Sequence, residues 1–114
     1  MFAGIGGFRV GLEASGHECV GSCEIDKYAR QIYAKNFGHE PKWKDATKIE
    51  PSELPDFDIL VAGFPCQAFS HAGKRLGFQD ARGTLFYEIA RIAKQKRPRY
   101  LFLENVRLVD LSIF

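Results

Sequence analysis

Asp58-Ile59-Leu60-Val61-Ala62-Gly63-Phe64-Pro65-Cys66-Gln67 is the stretch that decides the fold of this 114-residue chain. From Asp58 to Gly63 the run has the length and apolar character of a strand buried on both faces of a parallel sheet. Pro65 keeps the backbone before Cys66 extended and removes the donor that a helix would need there. The Cys66 thiol therefore stands just beyond the strand's carboxyl end. Downstream, Leu85, Ile89, Ile92 and Ala93 mark a helix from about Thr84 to Lys96, closed by Pro98. Tyr100-Leu101-Phe102-Leu103 is a second apolar strand, with Glu104 at its carboxyl end.

Upstream, Phe8 to Ser15 carries helical spacing through Phe8 and Leu12 and stops at Gly16. Glu18 to Glu24 reads as a short strand around Val20. Asp26 is a good N-cap for a helix over Lys27 to Phe37, with Tyr28, Ile32 and Phe37 near one face and Gly38 ending it. His39 to Phe57 is polar and mostly loop, with one turn at Ser52-Glu53-Leu54. Strands alternating with helices predict an α/β fold, a parallel sheet with right-handed crossovers. In such sheets ligands bind beyond the carboxyl ends of the strands. Gly4 to Gly7, Glu24, Pro65-Cys66 and Glu104-Asn105 would then share one rim.

Composition narrows the classes. One domain suits this length, and 46% hydrophobic residues suffice for a core. No run approaches the ~20 apolar residues of a membrane helix, and Phe2-Ala3-Gly4 directly after Met1 lacks the pattern of a signal peptide. A net charge of +2 neither argues for nor against nucleic acid. Cys19, Cys23 and Cys66 cannot all pair with one another, and no second ligand pair near Cys19 and Cys23 suggests zinc.

Each constellation has a chemical and a structural reading. In Phe2-Ala3-Gly4-Ile5-Gly6-Gly7 the glycines admit an adenosyl or phosphate group, and Glu24, 20 residues after Gly4, can take both ribose hydroxyls. Arg9 stands where a dinucleotide fingerprint has its third glycine, so a nucleoside cofactor without phosphates is favoured over a pyrophosphate. The same loop also serves as a tight turn. Cys66 is a strand-end nucleophile if its pKa is lowered, or a buried structural cysteine. Glu104 is either solvated or kept for acid–base work. His71, Lys74, Arg75 and Arg82 make a basic connection that either meets phosphates or is solvated.

Taken in order, these motifs resemble those of the DNA cytosine-5 methyltransferases of bacterial restriction–modification systems. Phe2 to Arg9 is similar to the first cofactor motif, Cys23-Glu24-Ile25-Asp26 to the second and Lys44-Asp45-Ala46-Thr47 to the third. Gly63 to Ser70 matches the nucleophile motif, Arg82-Gly83-Thr84-Leu85-Phe86 the next, and Phe102-Leu103-Glu104-Asn105-Val106 the Glu-Asn-Val motif. The resemblance implies a Rossmann-like, S-adenosyl-methionine-dependent methyltransferase fold, incomplete, with the first strand and the C-terminal half absent. Residues 1–114 would form part of a catalytic and cofactor-binding domain without its target-recognition domain.

The resemblance further implies S-adenosyl-L-methionine as cofactor. It would be lined by Phe2, Ala3, Gly4, Ile5, Gly6, Gly7 and Pro65, with Glu24 on the ribose and Ile25, Asp45 and Ala46 towards the adenine. Cys66 would add to C6 of a cytosine flipped from double-stranded DNA, Glu104 would serve N3, and Arg82 and Asn105 would support the pocket. It implies no metal and no membrane, a bacterial cytoplasmic location, and a second polypeptide as a source of the recognition domain. The isolated chain is expected to have little or no activity. Three other readings stand beside this one. They are an RNA cytosine-5 methyltransferase, a non-catalytic remnant or half of a split enzyme, and a nucleotide-dependent oxidoreductase, against which Arg9 argues.

Overall fold

A computed structural model describes residues 1–64 and 85–104 of the chain. The strand expected from residue 58 forms as β1, Ile59–Gly63, and the second as β2, Tyr100–Glu104. They pair in parallel with Ile59 opposite Tyr100 and Gly63 opposite Glu104, so both carboxyl ends finish level. The helix between them, α3, runs Leu85–Lys96 and buries Phe86, Ile89, Ala90 and Ile92. Those side chains form the core with Leu60, Ala62, Phe64, Cys23, Ala46 and Ile49. The inner residues of β1 are thus covered by α3, as a parallel crossover requires. Most of β2 is exposed.

At the other end of the chain, α1 is Gly7–Ala14 and α2 is Lys27–Phe37. Asp26 caps α2 by accepting from the Ala29 amide, and Gly38 closes it at φ 80°. The polar loop carries two 3-10 turns, Ala46–Lys48 and Pro51–Glu53, where the sequence suggested one. Arg91 fastens α3 to the first of them, donating to the carbonyls of Ile49 at 2.8 Å and Ala46 at 3.1 Å.

Two expectations are corrected. The segment Glu18 to Glu24 is not a strand; among the described residues its only bridge is Cys23 to Trp43, in parallel. A ladder needs a partner alongside, and next to Val20 and Gly21 lies a cleft of about 520 Å³ that reaches Ile59, Leu60 and Val61. The segment from Met1 to Ala3 bridges part of this gap: the Met1 amine donates to the Val61 carbonyl at 2.5 Å and the Ala3 amide to the Cys23 carbonyl at 2.9 Å. The second correction concerns α2, whose Tyr28 and Ile32 are exposed while Arg30 and Tyr33 are buried. Polar groups hold that inner face, since the Tyr33 hydroxyl bonds Ser22 Oγ at 2.9 Å and Arg9 Nη1 at 3.0 Å. Among the described residues no helix is long and apolar enough to cross a membrane.

Candidate active site

Three loops are laced together by backbone bonds at one rim. The Ala3 amide reaches Cys23, the Trp43 amide reaches Ser22 at 3.2 Å, and the Glu24 amide reaches the Trp43 carbonyl at 3.0 Å. This brings the glycine loop, the Glu24–Ile25 tip and the start of the Asp45 loop together. The Glu24 carboxylate sits at the junction. Its Oε1 accepts from the Gly4 amide at 2.7 Å and its Oε2 from the Asp26 amide at 2.8 Å. An ionised carboxylate has about four acceptor positions, so both oxygens keep capacity for ligand hydroxyls.

The backbone of the glycine loop is unusual. Phe2 has φ 53°, Gly4 φ 58° and Gly6 φ 97°. For a bulky residue such as Phe2 the left-handed region is strained, and such strain persists only where the surroundings enforce it. Phe2 is packed against the core cluster. Gly6 is glycine for two reasons visible in the structure. Its φ is positive, and a Cβ there would lie 2.1 Å from Cε2 of Phe37. Asn36 Nδ2 also donates to the Ile5 carbonyl at 3.0 Å, so the end of α2 holds the loop from beneath. Ile5 and Ile25 remain exposed, at 53% and 66%, and present apolar surface at the rim.

The Asp45 carboxylate accepts from the Thr47 hydroxyl at 2.7 Å and from its amide at 3.0 Å, and these bonds hold it below the usual carboxylate range. Ala46 is buried in the core. Cys23 is buried too, which pushes its thiol up to about 11 and leaves it a neutral core residue at ordinary pH.

Glu104 ends β2 directly opposite Gly63. A Cβ at position 63 would meet Cε2 of Phe8 at 3.2 Å and Oε2 of Glu104 at 3.4 Å. The carboxylate therefore lies against the last residue of β1, beside the strand end that leads into Phe64-Pro65-Cys66. The ring of Phe8 stands edge-on to Phe102, centroids 5.2 Å apart, and braces β2 from the same side. Pro65, Cys66, Arg82 and Asn105 lie outside the described residues. Gly63, Phe8, Asn36, Phe37 and Arg30, none of them named as a site residue from the sequence, prove to support the rim. Of these, Gly63 and Phe8 carried a signal, standing inside the nucleophile motif and the first cofactor motif. The cleft beside β1 adjoins this rim through Ala3, Gly6, Cys23 and Trp43, but neither Glu24 nor Glu104 lines it. Among the described residues no cluster of His, Cys, Asp and Glu could hold a metal ion.

The comparisons with known proteins agree with this arrangement. The family model for C-5 cytosine-specific DNA methylases matches residues 1–111. The type II methyltransferase M.HhaI of Haemophilus parahaemolyticus is 56% identical over 107 residues, covering 94% of this chain and 32% of that protein. M.NgoBI of Neisseria gonorrhoeae is 58% identical over 107 residues, covering 94% of this chain and 33% of that protein. Among solved structures, the Dnmt2 methyltransferase of S. pombe superposes with a TM-score of 0.69 at 24% identity, covering 93% of this chain and 34% of that one. The methyltransferase EhMeth of Entamoeba histolytica does so with a TM-score of 0.71 at 24% identity, covering 94% and 37%. The fold is therefore that of part of a Rossmann-like methyltransferase, and the chain spans about a third of the length of the curated relatives it matches. With nearly all of its residues inside the family model, the chain belongs to the C-5 cytosine-specific DNA methylase family.

Proposed function

We propose that this chain supplies the cofactor rim and the nucleophile of a DNA (cytosine-5-)-methyltransferase of restriction–modification type, acting on double-stranded DNA. The observation that supports this most is the level finish of β1 and β2. It sets Glu104 beside Gly63, three residues before Cys66. A thiol and a carboxyl group at adjacent strand ends suit attack on a flat, polarisable ring.

Membership of the family makes S-adenosyl-L-methionine the cofactor to test, and the rim fits it. Glu24 has acceptor capacity left for a ribose diol, and Ile5 and Ile25 offer exposed apolar surface for an adenine face. Phe2, Ala3, Gly4, Gly6 and Gly7 would bound the cofactor on the α1 side. Asp45 would sit at its adenine edge, Ala46 would back that loop, and Pro65 would close the far side. When bound, the cofactor supplies an electrophilic methyl carbon.

The chain's own residues would do the rest. C5 of cytosine is a weak nucleophile. Addition of the Cys66 thiolate to C6 forms an S–C6 bond and pushes an electron pair towards C5, which then accepts the methyl group. Glu104 would hold a proton at N3 and relieve the charge that addition places in the ring. Loss of the C5 proton and expulsion of the Cys66 sulfur then restore the aromatic ring. Arg82 and Asn105 would orient the base, which must leave the duplex to reach the thiol.

A hybrid enzyme tests this, with residues 1–106 of this chain replacing the corresponding third of M.HhaI. Incubation with labelled S-adenosyl-L-methionine and duplex DNA, followed by nucleoside mass spectrometry, should give 5-methylcytosine. Label appearing in tRNA supplied in a parallel incubation, and not in the DNA, would assign RNA as substrate. No methylated base from a folded hybrid that binds cofactor would overturn the proposal.

A further inference from the structure

Arg30 is the buried charged residue among the described residues, 5% exposed in the first turn of α2. Its guanidinium does not cap α2, nor does it make a close ion pair. Nη1 donates to the carbonyl of Glu24 at 2.7 Å and to that of Trp43 at 3.0 Å, and Nη2 donates to the carbonyl of Pro41 at 2.6 Å. Nε has no hydrogen-bond partner, and the nearest carboxylate oxygen, on the exposed Glu40, is 3.6 Å away. Burying a cation is costly unless acceptors replace its water. Here all three acceptors are backbone carbonyls of the loops on either side of α2.

Two of those carbonyls matter for the rim. One belongs to Glu24, whose carboxylate already ties Gly4 to Asp26. The other belongs to Trp43, two residues before Asp45. A single nitrogen, Nη1, bonds both, so one planar group reinforces from beneath the junction that the Glu24 amide makes with the Trp43 carbonyl at 3.0 Å. A lysine could not reproduce the whole set, because it has no second nitrogen to hold the Pro41 carbonyl while the first bonds those of Glu24 and Trp43.

We propose that Arg30 is a positioning residue of the cofactor site, one that braces the junction between the Glu24–Ile25 tip and the Asp45 loop. The inference rests on the reading of Glu24 as the ribose acid. Arg30 would not touch the ligand; it acts through the Glu24 carbonyl. Its effect should therefore be concentrated on the part of the ligand that Glu24 reads.

The experiment compares S-adenosyl-L-homocysteine with its analogue lacking the ribose 2′-hydroxyl, by calorimetry, on the chain and on Arg30→Lys under conditions where circular dichroism shows both folded. Removing a hydroxyl bonded to a carboxylate should weaken binding to the unaltered chain by about 10-fold or more. In Arg30→Lys that penalty should shrink to roughly twofold or less, since the Glu24 carbonyl loses its brace and the carboxylate shifts with the backbone. Equal penalties in the two proteins would overturn the positioning role alone, because a generally weakened protein would lose affinity for both ligands in proportion. Absence of any penalty in the unaltered chain would remove the ribose role of Glu24 and the proposal with it. A second measurement needs no variant. The Arg30 guanidinium nitrogen resonances should shift when S-adenosyl-L-homocysteine is added to the unaltered chain, and unmoved resonances at saturation would also overturn the proposal.

Discussion

Replacing Gly6 with alanine separates what the glycine loop needs for folding from what it needs for a ligand. The residue is buried at φ 97° and ψ 22°, and an added Cβ would fall 2.1 Å from Cε2 and 2.7 Å from Cζ of Phe37. Holding an L-residue in the left-handed region costs roughly 1–2 kcal/mol. The Phe37 ring must then move by more than an ångström. It packs on Tyr33 with centroids 4.6 Å apart and carries the Arg9 guanidinium 4.3 Å from its centroid. Losing such aromatic and cation contacts costs on the order of 1–2 kcal/mol more. Gly6→Ala should therefore lower the unfolding free energy by about 2–4 kcal/mol, a large share of the 5–15 kcal/mol typical of a domain. Urea denaturation followed by circular dichroism measures this. Gly7→Ala is the matched control, because its added Cβ meets nothing within 4 Å. It should change stability by less than about 1 kcal/mol, in either direction. A Gly6→Ala protein within 1 kcal/mol of the parent would refute the assignment of Gly6 to packing against α2.

Gly63→Ala places a methyl group 3.2 Å from the Phe8 ring and 3.4 Å from the Glu104 carboxylate. In the M.HhaI hybrid it should lower kcat by roughly tenfold through a shifted acid, with KM for cofactor unchanged; an unchanged kcat would dissociate Glu104 from Gly63. Arg91→Ala strands the carbonyls of Ile49 and Ala46 and should cost about 1–3 kcal/mol in urea denaturation, whereas Arg91→Lys should recover part of it. Cys23 binds its proton more tightly folded, at about 11, than its ordinary 9.0. Its contribution to stability is complete below pH 9 and declines as pH rises from 9 to 11. Cys23→Ala should flatten the stability curve across that window, and an identical decline in parent and variant would count against the burial of the thiol.

The sequence made some elements legible because their cause is local. The apolar run from Ile59, the Asp26 cap and Gly38 stop around α2, and the spacing of Ile89 and Ile92 each contain their own explanation. The failures have non-local causes. Glu18 to Glu24 has strand-like residues, yet a strand exists only where another runs beside it, and here pairing is confined to Cys23 and Trp43. On α2, Tyr28 and Ile32 looked like the inner face, whereas Arg30 and Tyr33 occupy it because polar partners wait there in other loops. Gly6 reads in sequence as room for a ligand; only the fold reveals Phe37 against it. Glu104 was found by its place at a strand end and Glu24 by its spacing of 20 residues from Gly4, while Asp45, in a polar loop, stood out through the family resemblance alone.

The decisive measurement is a covalent trap. Duplex DNA carrying 5-fluorocytosine, incubated with the M.HhaI hybrid and S-adenosyl-L-methionine, should yield a stable protein–DNA adduct whose proteolytic peptide is attached through Cys66. Cys66→Ser should form none, and Glu104→Gln should form it at least tenfold more slowly. An adduct that persists in Cys66→Ser, or that forms at full rate in Glu104→Gln, would contradict a shared action of these two residues on one base.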